Sequence, residues 1–217
     1  MIITFGNVKG GVGKTTLAVN TVIALASARR DVLLVDGDQQ GTALTFAELR
    51  EEAFGSLDFT AVQLAGNAVR QQVRKLRSKY DDIVIDTGGR DSGSFRAALT
   101  VTETLIVPVQ PRTFDVWAVD QVAELITEAR EINDHLAAYA VLNAADPQGR
   151  DNAEAADVLG ENTELAMLST PIVRRKALAN ACAAGRGIRE MSPKDLKAES
   201  EFAAFMRQAY LTPETRS

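Results

Sequence analysis

Apolar residues recur along this chain in two alternating rhythms. Short runs with β-branched character fall at Ile2–Phe5, Asp31–Asp36, Leu57–Gln63, Asp82–Asp86, Thr104–Val109, Ala137–Asn143 and Glu164–Leu168. Between them lie stretches with apolar positions three and four residues apart: Lys14–Ala28, Ala43–Ala53, Asn67–Lys79, Ser92–Val101, Val116–Asn133 and Ala153–Leu159. The first pattern predicts strands and the second helices. Val32-Leu33-Leu34-Val35 and Ile83-Val84-Ile85 are apolar at every position, as strands are when both faces are covered. A β-α-β-α order with such strands predicts an α/β fold, a mostly parallel β-sheet flanked by helices on both faces. Two more helices are expected near Arg174–Ala184 and Lys194–Tyr210. No repeat or linker interrupts the 217 residues, so residues 1–211 are expected to form one domain, followed by a flexible tail at 212–217.

Composition narrows the setting. No stretch approaches the roughly 18 apolar residues of a membrane span, and the N-terminus lacks the pattern of a secretory signal. Cys182 is the single cysteine; it can make neither an internal disulfide nor a cysteine metal cage, which fits a reducing cytoplasm. The thiol is expected to be a small buried apolar group. The net charge of −5 is unevenly spread, with nine Lys/Arg against five Asp/Glu from Pro171 onward. A basic end on an acidic body hints at a polyanionic partner.

The chemistry concentrates in "GNVKGGVGKTT", residues 6–16, directly behind the first strand. Gly13-Lys14-Thr15 completes the ending of a P-loop, although Val8 stands where the usual pattern has its first glycine. Gly10, Gly11, Val12 and Gly13 would turn backbone N–H groups toward phosphate oxygens. Lys14 would neutralise the β- and γ-phosphates, and Thr15 would offer its hydroxyl to Mg²⁺. The helix opening at Lys14 aims its positive end at the same anion. Asp86 closes one buried strand, and Asp36 with Asp38 closes another. Carboxylates at the carboxyl ends of parallel strands sit beside the ligand crevice, where Asp86 can hold the Mg²⁺ shell.

"KGGVGKTT", "VDGDQQG" and "VIDTGG" resemble the deviant Walker A, switch I and Walker B segments of ParA/MinD-type ATPases, in a short partition-type form. The likeness extends to "PIVRRKALANACAAGRGI", which is similar to a late loop-helix segment of that family. It implies a P-loop NTPase domain using ATP and Mg²⁺. The early lysine, Lys9, would reach across an ATP-bound homodimer to phosphate held by the other subunit. Two ATP molecules facing each other repel unless cations are supplied between them, so such a lysine ties dimerisation to triphosphate occupancy. By the same likeness Asp38 orients the attacking water, Asp36 and Thr15 organise Mg²⁺ and switch I, and Thr16 touches the α-phosphate. Gln39 stands where the family often has proline, and Thr87-Gly88-Gly89 replaces a frequent proline after Walker B. These departures leave every ligand in place and bear on switch geometry. Asn143 matches a family asparagine that reads adenine; by residue chemistry alone, a turn built by Asn143, Asp146 and Pro147 is an equal reading.

The resemblance also implies non-specific DNA binding by the ATP-bound dimer, a separate ParB-like or cargo-adaptor protein that stimulates slow ATP hydrolysis, and a cytoplasmic, nucleoid-associated location. DNA binding needs only several cations near phosphates. Arg174, Arg175, Lys176, Arg186, Arg189, Lys194 and Lys197 form one candidate group. A second is Arg70, Arg74, Lys75, Arg77 and Lys79. The strand starting at residue 2 leaves no room for an N-terminal helix-turn-helix, so operator-specific repression is not expected. Two alternatives share the fold: a membrane-associated MinD-like ATPase and a DNA-transfer accessory ATPase. The stripe Phe202, Phe205, Met206 and Tyr210, flanked by glutamates, argues for docking on the protein's own core rather than on a membrane, which favours lysine-rich faces. Phe114 and Trp117 are candidate anchors for a partner, with helix packing the favoured reading. Small-molecule ligases of this fold have no need of Lys9, and an iron–sulfur carrier is excluded by the lack of cysteines.

Overall fold

The structure, a computed structural model, describes residues 1–89, 93–111, 113–146 and 151–211, with side chains outside the description at 113–117 and 211. The expected tail at 212–217 lies outside the described residues. The elements run β1 (Ile2–Phe5), α1 (Lys14–Ser27), β2 (Val32–Asp36), α2 (Thr42–Phe54), β3 (Thr60–Gln63), α3 (Asn67–Leu76), β4 (Asp82–Asp86), α4 (Gly93–Leu99), β5 (Thr104–Val109), α5 (Thr113–Arg130), β6 (Ala137–Ala145), α6 (Asp151–Gly160), β7 (Ala166–Met167), β8 (Ile172–Val173), α7 (Lys176–Ala183), a short 3-10 turn at Ile188–Glu190, and α8 (Leu196–Leu211).

Eight strands form the sheet in the order β3-β2-β4-β1-β5-β6-β7, with β8 pairing the far end of β6. Every pairing is parallel. Alternation along the strands explains the two covered faces. Ile3, Phe5, Val32, Leu34, Val84, Ile106, Tyr139 and Val141 point toward one face, where α1, α2, α7 and α8 pack. Their neighbours Leu33, Val35, Ile83 and Ile85 meet α3 and α4 on the other, and Leu105, Val107, Ala138 and Ala140 meet α4, α5 and α6 there.

Parallel pairing brings all strand carboxyl ends to one edge. Asp36 is in register with Asp86, and Asp86 with Phe5, the residue before the glycine-rich loop. Because the chain leaves β1 toward β2 on one side and later toward β5 on the other, the crevice opens beside β1.

The differences from expectation have local causes. β3 is shorter than Leu57–Gln63 because Asp58 turns toward Arg50, making paired bonds of 3.0 and 3.1 Å. β8 carries no extended pattern in the sequence. It exists because β6 runs on past Asn143 through an irregularity at Ala144, whose φ is +54°. α7 begins two residues later than expected because Arg175 is extended. α8 docks as anticipated: Phe202 and Phe205 are buried, with Met206 and Tyr210 packed against the same core.

Candidate nucleotide site

The glycine-rich loop is shaped by its backbone. Gly11 and Gly13 have φ of +76° and +96°, values that L side chains rarely adopt, and Gly13 caps α1. Four neighbours hold the loop. Asn7, fully buried, donates to the Pro108 carbonyl at 2.8 Å and accepts from the Lys9 amide at 3.0 Å. Gln110 donates to the Gly11 carbonyl at 2.9 Å. Asn143 donates to the Val12 carbonyl at 2.7 Å, and its amide lies where a Cβ on Gly13 would fall. Gly89 passes so close that an added Cβ would stand 2.5 Å from the Gly10 Cα. The loop is thereby pre-shaped without the first glycine of the common pattern; Val8 packs instead against the α5-side core.

Lys14 is buried, and its ammonium donates to the Lys9 carbonyl at 2.8 Å. Burial lowers its pKa, opposed by the charges of Asp86 and Asp38. The Thr15 hydroxyl donates to Asp86 Oδ2 at 2.6 Å. Asp86 is fully buried, and its Oδ1 has no hydrogen-bond partner among the described residues. Burial pushes its carboxyl up to about 7, helped by Asp36 and opposed by the Thr15 hydrogen bond and Lys14. A buried carboxylate with one idle oxygen beside a threonine hydroxyl and a lysine fits a hydrated Mg²⁺ with nucleotide phosphates.

Asp36 is also buried, but both its oxygens are engaged. Oδ1 accepts from the Asp38 amide and Oδ2 from the Leu44 amide, each at 3.0 Å. Burial raises its pKa, and those amides pull it back. Asp36 therefore braces the segment leading into α2. Asp38 is half-buried; its Oδ1 accepts from the Gln40 amide at 3.1 Å, and its carboxylate lies 3.3 Å from where a Cβ on Gly88 would be. The loops after β2 and β4 thus face each other across a cavity of about 610 Å³ lined by Gly10, Gly37, Asp38, Gln39, Gly88 and Gly89 among others.

The structure gathers Lys9, Gly10, Gly11, Val12, Gly13, Lys14, Thr15, Asp38, Asp86 and Asn143 around one crevice. Thr16 sits in the first turn of α1, where its carbonyl accepts from Asn20. One N–H of the Asn143 amide is engaged by the loop, a contact that the sequence pattern does not encode. Asn7, Gln110 and Gly89 were missed in the sequence. The available signal was a side-chain amide within two residues of the end of each of two buried strands, β1 and β5.

Within the late basic group, two cations are engaged by neighbouring side chains. Arg175 is tied to Glu201 at 2.7 Å, and Arg186 stacks over the Phe54 ring at 5.0 Å. Arg174, Lys176, Arg189, Lys194 and Lys197 remain exposed. Cys182 is half-buried with its thiol pushed up to about 11 by burial. The side chains of Phe114 and Trp117 lie outside the described residues. No described helix is long and apolar enough to cross a membrane.

A family model for the CobQ/CobB/MinD/ParA nucleotide binding domain matches residues 3–188. The chain belongs to this family. Its curated relatives include the maintenance of carboxysome distribution protein A of Halothiobacillus neapolitanus, 28% identical over 93% of each chain. Another is the chromosome-partitioning ATPase Soj of Thermus thermophilus, 32% identical over 60% of this chain and 61% of that protein. Among solved structures, McdA of Cyanothece superposes with a TM-score of 0.79 at 16% identity, covering 94% of this chain and 96% of that one. A Borrelia burgdorferi plasmid partition protein bound to AMPPNP superposes with a TM-score of 0.74 at 18% identity, covering 96% and 99%. At these identities the solved structures establish the P-loop ParA/McdA fold.

Proposed function

We propose that this family member is an ATP-driven positioning ATPase that segregates or spaces a plasmid, a chromosome region or a protein compartment. The observation that carries the reading is the pairing of Thr15 with buried Asp86 beneath a loop that holds two lysines, Lys9 and Lys14. The full-length likeness to a carboxysome distribution protein supports a positioning role, and partition proteins recur among the relatives.

In this reading the loop amides and the end of α1 bind the phosphates, and Lys14 neutralises the charge that moves onto the β–γ bridge. Thr15 and Asp86 would hold Mg²⁺, with Asp36 bracing switch I behind them. The metal supplies charge stabilisation on the phosphoryl oxygens when bound. Asp38, facing Gly88 across the open cavity, orients a water for attack on the terminal phosphorus. The bond to the bridging oxygen breaks, leaving ADP and inorganic phosphate. Lys9 acts on the partner subunit's triphosphate, so only the ATP form joins two copies. The joined form holds DNA phosphates without reading bases, and a separate adaptor protein accelerates hydrolysis and resets the cycle in the cytoplasm at the nucleoid. Burial of the α8 stripe against the core speaks against the MinD-like membrane alternative.

The test is ATP turnover together with binding to a non-specific duplex in ATP, ADP or no nucleotide. Lys14→Ala is expected to abolish turnover, and Lys9→Ala to abolish ATP-promoted binding. Duplex binding that is absent in every nucleotide state of the native chain would remove the DNA arm of the reading and leave the ATPase arm standing.

A further inference from the structure

Lys9 is the residue whose side chain the reading above sends across to a second copy, so whatever fixes its direction bears on that reach. A residue has two soft backbone dihedrals, and the peptide planes on either side of its Cα set the line along which the side chain leaves. Both planes are held at Lys9. On one side its N–H donates to Asn7 Oδ1 at 3.0 Å. On the other its carbonyl accepts from the Lys14 ammonium at 2.8 Å. The loop after β4 closes over this second plane, where a Cβ on Gly89 would stand 3.1 Å from the Lys9 carbonyl carbon. Lys14 and Gly89 belong to the nucleotide crevice in their own right. The two side-chain bonds of Asn7 run instead to backbone, one to Lys9 and one to β5.

Asn7 is built to hold a position rather than to fill space. It is fully buried, where an amide costs stability unless its polar atoms are bonded. Its Nδ2 donates to the Pro108 carbonyl at 2.8 Å. Pro108 lies in β5, which is buried at every position and pairs with β1 on one side and β6 on the other. One end of the amide therefore rests on a strand inside the sheet, a rigid support for a side chain that must keep one rotamer. The other end carries the N–H two residues further along the chain, as Asn side chains do in Asx turns. The remaining amides on this loop act further along, Gln110 on the Gly11 carbonyl and Asn143 on the Val12 carbonyl. They support the glycines, whereas Asn7 supports the lysine that precedes them.

We propose that Asn7 is the positioning residue for Lys9: by anchoring the Lys9 amide to β5, it directs the Lys9 side chain toward the partner subunit's triphosphate and so governs ATP-dependent pairing of two copies. The proposal rests on the trans role given to Lys9 above and names the group that prepares it. Without the Asn7 oxygen the plane before Lys9 turns freely, and the ordering of a long side chain is then charged against dimer formation. Nucleotide held within one subunit is spared, because Lys14, the Gly11 carbonyl and the Val12 carbonyl keep their own partners. Each dimer contains two such lysines, so the loss counts twice.

The test separates pairing from nucleotide binding in the native chain, Lys9→Ala, Asn7→Ala and Asn7→Ser. Affinity for ADP reports the loop within one subunit, since ADP has no terminal phosphate for a second copy to meet. Sedimentation equilibrium with Mg²⁺ and a saturating non-hydrolysable ATP analogue gives the dimer dissociation constant. Asn7→Ala removes both side-chain bonds, while Asn7→Ser keeps an oxygen that can accept from the amide two residues on. Asn7→Ala is expected to weaken the dimer at least about tenfold, from one lost hydrogen bond in each copy, with ADP affinity within about threefold of native. Asn7→Ser is expected to regain most of the pairing. Circular dichroism reports the fold; if Asn7→Ala does not fold, Asn7→Val and Asn7→Thr, close in shape and differing in the oxygen, replace Asn7→Ala and Asn7→Ser. Equal weakening by both members of the pair overturns the assignment in favour of the Pro108 bond or of packing. ADP affinity that falls in step with pairing also overturns it and makes Asn7 a general support of the loop. An Asn7→Ala chain that pairs like the native one, while Lys9→Ala does not pair, overturns the assignment alone. A native chain that stays monomeric with the analogue, or a Lys9→Ala chain that pairs like it, removes the trans reading and the assignment together.

Discussion

Single atoms decide the nucleotide crevice. Gly89 cannot accept a side chain, because its Cβ would stand 2.5 Å from the Gly10 Cα and 2.8 Å from the Gly10 nitrogen. Backbone cannot give way as a flexible side chain would. Gly89→Ala is therefore expected to weaken fluorescent ATP-analogue binding at least about tenfold, a loss of about 1.4 kcal/mol; unchanged affinity would show that the two loops separate freely. Asn143 offers a sharper discrimination. If its amide serves only to hold the Val12 carbonyl, Asn143→Ala lowers affinity for ATP and GTP together. Loss of ATP preference with GTP affinity kept would instead establish adenine reading. Neither glycine contact nor asparagine strap is visible in the sequence, since each depends on residues more than seventy positions apart. The glycines and Lys14-Thr15, by contrast, are contiguous, and their meaning is local.

At the level of elements, the docking of α8 can be read directly from stability. Phe205 is fully buried, with ring centroids 5.7 Å from Phe202 and 6.4 Å from Phe5. Phe205→Ala is expected to cost about 3–5 kcal/mol in urea unfolding, and a cost below about 1 kcal/mol would mean that α8 is only loosely docked. The far end of this helix meets the start of the chain. Buried Asp82 accepts from Arg30, from the Tyr210 hydroxyl and from the N-terminal amine. Burial alone would raise its pKa, but Arg30, Tyr210 and the amine outweigh it and hold the carboxyl below its ordinary value. The stabilisation is therefore fully present above the unfolded pKa of about 4 and is lost as pH falls through the lower folded value. Asp82→Asn is expected to cost about 2 kcal/mol at pH 7, below the range for a fully buried pair because Arg30 is 40% exposed. The gap between native and variant should close on acidification below about pH 4; a gap that persists there would assign the effect to packing. The amphipathic stripe of α8 was legible from spacing alone. The Asp82 cluster was not, because it joins the first residue, β4 and the last helix.

For the molecule as a whole, the consequential feature is that the crevice holds cations from one loop in two directions of use. Lys14 turns inward against the Lys9 carbonyl, while Lys9 is assigned in our reading to a second copy. Light scattering in Mg-ATP should show the native chain at twice the monomer mass and Lys9→Ala at the monomer mass. Equal dimerisation of both would remove the trans role without touching nucleotide binding. The 610 Å³ cavity between the switch loops leaves room at this edge for such closure.

The sequence by itself determined the alternation of elements, the parallel class of sheet, the glycine-rich loop ahead of α1 and the docking side of α8. Each follows from patterns confined to a few turns of chain, where periodicity and backbone chemistry act locally. Only the tertiary structure decided that both Asp36 oxygens accept from amides of the segment running into α2, that Asn7, Gln110 and Asn143 hold the loop, and that β8 extends β6. It also parted the two basic groups onto opposite faces of the sheet. Those outcomes depend on strand order and register, which bring distant residues within hydrogen-bonding reach and which no local spacing encodes.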